Sequence, residues 1–283
     1  MIRNIRIAYS LLSPSLVWLL LFLVVPIAMI FVISFTVNQE FGGIVYDFSL
    51  HAYRLAFGSL YLKVIWHSIV WAFVSTVICL LVSYPFAYFI AHAGKWKNVL
   101  LILVMIPFWT NLLVRLYSWI ILLNNHGVIN HFLIDAGIIS HPIKMMYTPF
   151  AVIIGLVYGF LPFMILPIYS SIEQLDGTYL EAAEDLGANP AKTFFKVTLP
   201  LTFPGVMAGF VITFVPAVSV FVVTELLTGG KLVMIGNVIR DAFLVGMNWQ
   251  LGSALSILLM ILVLLSLFVF MKFTSSKDKN LLF

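Results

Sequence analysis

Charge is what this chain has least of. Of its 283 residues only 9% are Asp, Glu, Lys or Arg and 63% are hydrophobic, where a soluble domain carries about 25% charged and about 45–50% apolar residues. No water-soluble surface can be assembled from that composition. A soluble enzyme, a disordered chain and a nucleic-acid-binding protein are excluded, and an integral membrane protein is left. Cysteine is nearly absent too: Cys79 stands alone in an apolar run, so the chain has neither an internal disulfide nor a cysteine-based metal site. Ten-residue stretches of alternating polarity are missing, which rules out a transmembrane barrel and leaves an all-α bundle. Catalytic signatures are missing as well, with no H-E-x-x-H, no G-x-S-x-G and no pair of intramembrane aspartates. Gly230-Lys231 is followed by Leu232 where a phosphate-binding loop needs Ser or Thr, and Glu225 stands where its first glycine belongs. This chain does not bind ATP by that route.

What is present is a set of long apolar windows. A spanning helix needs about 20 apolar residues, and six windows qualify: Tyr9–Val37, Val64–Ala91, Val99–Leu123, Tyr147–Ile172, Phe203–Leu227 and Leu251–Met271. The first follows Arg3 and Arg6 but exceeds the length of a signal-peptide core and lacks a cleavage site, so it is expected to stay as a signal anchor. An N-terminus in the cytoplasm places Arg3, Arg6, Lys95, Lys97, Lys192, Lys196, Lys272, Lys277 and Lys279 inside, against Arg54, Lys63, Lys144, Lys231 and Arg240 outside. Positive residues concentrate on the cytoplasmic side of membrane proteins, which favours N-in and C-in. The expected organisation is residues 1–62 as anchor span and first external loop, 63–273 as a core of five spans, and 274–283 as a cytoplasmic tail. The third external segment, 228–250, carries Gly229, Gly230, Gly236 and Gly246 and can either cross the surface or dip back into the bundle. Pro26, Pro85, Pro107, Pro162, Pro167 and Pro216 lie inside spans, where each removes a backbone donor. Six together favour a protein with an internal path.

The densest charge lies between the fourth and fifth spans, in residues 171–202. Thr178 followed by Glu181 predicts a capping box. Gly187 suits the left-handed residue that ends a helix, Asn189 and Pro190 suit the start of a second one, and Leu199-Pro200 is expected to end it. Leu180, Phe194 and Phe195 are expected to be exposed. Such a helix-turn-helix is either a docking surface or a lid on the bundle's own inner face.

Glu181-Ala182-Ala183, then Gly187, then Val197-x-Leu199-Pro200 resemble the EAA loop of the permease subunits of ATP-binding-cassette importers, with Val197 in place of isoleucine. The resemblance implies a type I importer permease fold whose core is the second to sixth spans. It implies that the loop is a coupling helix seated on a cytoplasmic ATPase, with Glu181, Ala182, Ala183, Gly187, Leu199 and Pro200 carrying the contact. It also implies partners: two ATPase subunits, which hold the ATP and Mg while this chain holds no cofactor, a second related permease subunit, and an external substrate-binding protein. Longer stretches are similar to the spermidine and putrescine branch of that family: Pro107 to Arg115, Glu225-Leu226-Leu227 with Gly229-Gly230, and Asp185-Leu186-Gly187-Ala188. Importers of ferric iron, sulfate and thiamine share much of this framework. A secondary transporter driven by an ion gradient is the alternative from another class, but it needs no structured docking loop and usually shows internal repeats.

Arg115 and Glu225 are the only formally charged residues within the drawn spans. A charge at membrane depth is by default functional and needs a partner. They can form an ion pair that fastens two helices, Glu225 can meet a cationic substrate, or either can sit at an interface without special role. A polyamine, a flexible polycation with methylene spacers, calls for carboxylates and aromatic faces along its path. Trp109, Tyr117, Tyr158, Trp119 and Phe160 are candidates, with Trp119 and Trp249 better suited as interfacial anchors. His67 in the second span is expected to be hydrogen-bonded within the bundle.

Overall fold

The computed structural model describes residues 13–39 and 43–280. Arg3 and Arg6, two of the charges behind the orientation argument, lie outside them, and the side chains of Lys277 and Lys279 are not described. Among the described residues five helices are long and apolar enough to cross a membrane, or six if one bent pair counts as a span.

The chain forms two compact units. One takes the chain up to Lys63 together with Val238–Leu264. Its first helix, α1 (Ser13–Ile33), has no buried residue in its apolar window and contains a π-turn at Leu20–Val24, one residue short of Pro26. A short antiparallel hairpin follows, β1 (Val37–Asn38) and β2 (Ile44–Val45), with Val37 opposite Val45. Buried Gln250 donates through Nε2 to the Val37 carbonyl at 3.0 Å and to Thr36 Oγ1 at 3.2 Å. The hairpin and the helix α2 (His51–Ala56) occupy the first external loop, where the apolar pattern marks nothing.

The other unit takes Val64–Asn237 and the chain from Leu265 on. Helix α3 (Ser59–Ala91) buries Ser68, Ala72, Ser75, Thr76, Cys79, Ser83 and Ala87. In lipid an apolar side chain gains nothing by leaving one hydrocarbon surface for another, so helices associate where small residues at three- and four-residue spacing allow close packing. Helix α4 (Lys97–Met105) leads through a 3-10 turn at Ile106–Trp109 to α5 (Leu112–Leu123), followed by α6 (Val128–Asp135) and α7 (Pro149–Glu173). The loop helices α8 (Thr178–Asp185) and α9 (Pro190–Leu201) precede α10 (Phe203–Ser219), α11 (Val222–Thr228), α12 (Ile235–Leu244) and α13 (Trp249–Asn280). Among the described residues, helices α7 and α10 pack closely against each other. Gly205 permits it, because a Cβ there would sit 2.6 Å from the Pro167 carbonyl oxygen.

Two of the six windows are not continuous helices. The third breaks where Pro107 lacks an N–H and Thr110 turns extended, and Asn111 then caps α5 by accepting from the N–H of Leu113 at 2.8 Å. The fifth breaks at Val220, ψ 113°, after Pro216, and resumes as α11. Of segment 228–250, residues 228–237 fold back: Met234 and Ile235 are fully buried, and the Ile235 N–H donates to Ser68 Oγ of α3 at 2.8 Å. Helix α13 continues through the residues expected to form a tail, as far as Asn280. His67 is exposed, and its side chain makes no hydrogen bond among the described residues; its neighbour Ser68 takes the buried polar role instead.

Candidate functional site

The loop between α7 and α10 is the helix-turn-helix that its residues predict, with two corrections. No capping box forms at Thr178. Asp176 Oδ1 accepts from the Thr178 N–H at 3.0 Å, the two-residue reach of an Asx turn, and that bond holds the Asp176 carboxyl below its ordinary value. Nor does Leu199-Pro200 end the second helix. A π-turn at Phe194–Thr198 widens the ladder ahead of Pro200, helical structure runs on through Leu201, and a 62° bend then leads into α10.

The turn between the helices is as expected. Gly187 has φ +76°, and the N–H of Ala188 bonds the Ala183 carbonyl while that of Gly187 bonds the Glu184 carbonyl, the paired closure of a Schellman motif. Asn189 Oδ1 accepts from the Lys192 N–H at 2.8 Å with Pro190 at the first helical position. Glu181, Ala182 and Gly187 are exposed, whereas Ala183 is 8% exposed and faces the chain's own body. Leu199 and Pro200 are half-buried. The large outward side chains are Tyr179, Leu186 and Phe195; Leu180 and Phe194, expected to be exposed, are half-buried. Phe194 packs edge-on against Tyr84 of α3 at 5.5 Å, and the Tyr84 hydroxyl pairs with Thr202 Oγ1 at 2.8 Å. The loop's second helix is thereby tied to α3, a link that its sequence does not announce.

The two intramembrane charges do not pair. The Arg115 guanidinium carbon lies 4.2 Å from the centre of the Phe108 ring and 5.9 Å from that of Tyr158, and its Nε and Nη1 are buried without a hydrogen-bond partner. Glu225 belongs to another cluster, in which its Oε2 accepts from Asn237 Nδ2 at 3.2 Å. Of the aromatic candidates, Tyr158 is half-buried and meets Trp119 edge-on at 5.4 Å. Trp119 and Phe160 pack against the cluster of Leu116, Leu123, Leu156 and Val223. Trp109 and Tyr117 are 81% and 56% exposed. Asn237 is the residue that sequence reading passes over; one polar amide between apolar neighbours in a glycine-containing segment is its whole signal.

Among the described residues, five apolar helices or six, a broken span with a charge beside the break, and a structured loop closed by a Schellman turn make this a helical membrane protein. Residues 83–277 match the family described as binding-protein-dependent transport system inner membrane component, and the chain belongs to that family. It is 45% identical over 254 residues to the spermidine/putrescine transport system permease protein PotB of Haemophilus influenzae, covering 89% of each chain. It is 43% identical over 264 residues to PotB of Escherichia coli K12, covering 93% of this chain and 96% of the other. The fold matches a bacterial ABC transporter that imports the acidic polysaccharide alginate, with TM-score 0.76 at 18% identity over 96% and 97% of the two chains. The protein is thus a multi-pass inner-membrane permease of type I importer fold.

Proposed function

We propose that this chain is the permease subunit of a spermidine and putrescine importer, forming part of the path along which polyamines delivered by an external binding protein cross the membrane. The observation that carries this reading is identity of 43–45% to two polyamine permeases over nearly the whole length. The chain itself is not catalytic. ATP and Mg belong to two cytoplasmic ATPase subunits, and the exposed face of α8, with Tyr179, Glu181, Ala182 and Leu186, is where one of them seats. Ala183 packs beneath that face, and Gly187 forms the exposed turn at its end.

Along the path, Glu225 is the acceptor for ammonium groups. Arg115 occupies the ring faces of Phe108 and Tyr158, so Trp109 and Tyr117 are the aromatic candidates left to meet a cation. A second, related permease completes the path.

The test is uptake of labelled putrescine and spermidine by cells with and without this chain, together with mass spectrometry of what co-purifies with it in mild detergent. Polyamine uptake that depends on the chain, and co-purification of an ATPase and a second permease, are expected. Polyamine uptake unchanged by its deletion overturns the substrate assignment.

A further inference from the structure

Helix α11 and the segment that folds back behind it are joined by the buried side chain of Asn237, beside that of Thr228, whose hydroxyl accepts from the Leu232 N–H at 3.2 Å. Asn237, 4% exposed, accepts through Oδ1 from the backbone N–H of Met234 at 3.1 Å, with the Thr224 hydroxyl 2.8 Å from the same oxygen. Its Nδ2 donates to the Phe221 carbonyl at 3.3 Å and to Glu225 Oε2 at 3.2 Å. A backbone N–H can only donate and a carbonyl can only accept, so Met234 and Phe221 force the amide into one of its two orientations. That orientation turns Nδ2, not Oδ1, towards Glu225. Two donors and two acceptor positions of the amide are all in use, which is what a buried amide requires. The backbone beside it is held as well, since the Ile235 N–H donates to Ser68 of α3 at 2.8 Å.

We propose that Asn237 is a positioning residue for the Glu225 carboxylate at the break of the fifth span. The proposal rests on the reading that Glu225 meets the ammonium groups of the substrate. An unrestrained glutamate loses side-chain entropy on meeting a cation. One whose carboxylate oxygen is already fixed by a buried amide on a neighbouring segment has less to lose, so binding is stronger for the same contact. The amide is neutral, so this bond by itself leaves the charge of the carboxylate in place.

The test uses the complete complex in proteoliposomes, with spermidine uptake per assembled complex measured beside ATP hydrolysis stimulated by the loaded binding protein. Asn237→Ala is expected to lower uptake per assembled complex about tenfold, the loss of one hydrogen bond to a charged group. Because Asn237 acts through Glu225, the change adds nothing to the defect of Glu225→Gln in the double variant. Losses that multiply in the double variant, or parental uptake by Asn237→Ala while Glu225→Gln is defective, overturn the proposal. Parental uptake by Glu225→Gln overturns the reading beneath it, a result that no Asn237 variant is needed to see. If Asn237→Ala does not assemble, the exchange Asn237→Asp with Glu225→Gln decides. There the amide at 225 can donate to the buried carboxyl at 237, which in its protonated form also donates to the Phe221 carbonyl, so the contact survives with its roles reversed. That exchange is expected to assemble and to transport no better than Glu225→Gln. Recovered uptake, or failure to assemble where Glu225→Gln assembles, assigns Asn237 a packing role only.

Discussion

The guanidinium of Arg115 stacks 4.2 Å over the ring of Phe108, seven residues earlier in the chain and across the break in the third span. The break makes this contact. In a continuous helix, side chains seven apart are two turns and about 10 Å from one another along the axis, whereas the 3-10 turn and the extended Thr110 fold Phe108 back under the first turn of α5. Arg115 also stands at a helix N-terminus, where the backbone dipole disfavours a cation. The aromatic faces offset part of that cost.

Phe108→Leu should therefore destabilise the chain beyond its loss of volume, by about 1–2 kcal/mol for a desolvated cation-π contact. Thermal unfolding of the purified chain in detergent checks this against Phe108→Leu combined with Arg115→Leu. The ring's contribution should vanish once the guanidinium is gone. Equal losses with and without Arg115 would show that the stacking carries no energy.

Glu225→Gln leaves Arg115 in the surroundings it already has, because the two do not pair. The variant should reach normal abundance in the membrane with reduced uptake, and adding Arg115→Gln should not restore it. Had they been paired, removing one charge would strand the other at about 3–5 kcal/mol, and the double change would rescue the folded protein. Immunoblotting of membranes alongside labelled uptake separates the two outcomes.

Gly187 turns left-handed with nothing within 4 Å of where a Cβ would be. Gly187→Ala should accordingly cost only the backbone strain of about 1–2 kcal/mol and insert normally. Gly187→Asp adds charge and bulk to the exposed turn and should abolish uptake while insertion stays intact, if the loop seats in a close-fitting groove. Normal uptake by the aspartate variant would remove the coupling role from this turn.

The start of α8 depends on an ionised Asp176. Its carboxyl is held below the ordinary value by the Thr178 N–H, so the cap is fully present above the unfolded-state value and is lost as pH falls through the lowered, folded-state one. At neutral pH, Asp176→Ala should speed amide exchange at Thr178 relative to the parent. The difference should close only in strong acid. An unchanged exchange rate at neutral pH would place the start of α8 under other control.

Much of this protein is legible in its residues because lipid and local backbone chemistry act over short distances. The runs Val64–Ala91 and Tyr147–Ile172 predict α3 and α7 to within a few residues, since a chain in hydrocarbon must satisfy its own backbone groups. Gly187, Asn189 and Pro190 announce their turn for the same local reason, and the loop motif placed the chain in its family. Asp176 was passed over for Thr178 because both are competent caps within two residues of each other, and spacing does not choose between them.

What tertiary structure alone decided is which polar groups meet. Pro107 and Pro216 each lie in a span that breaks, yet Pro85, Pro162 and Pro167 lie in helices that run on; the difference is whether neighbouring backbone and side chains can take up the freed groups, and that depends on packing between distant segments. Charge and spacing allow Arg115 and Glu225 to pair, but the break in the third span turns one to an aromatic face and the folding back of 228–237 gives the other to Asn237. Hydrophobic periodicity carries no information about such contacts, because a buried polar group is satisfied by whichever donor or acceptor the fold brings within about 3 Å.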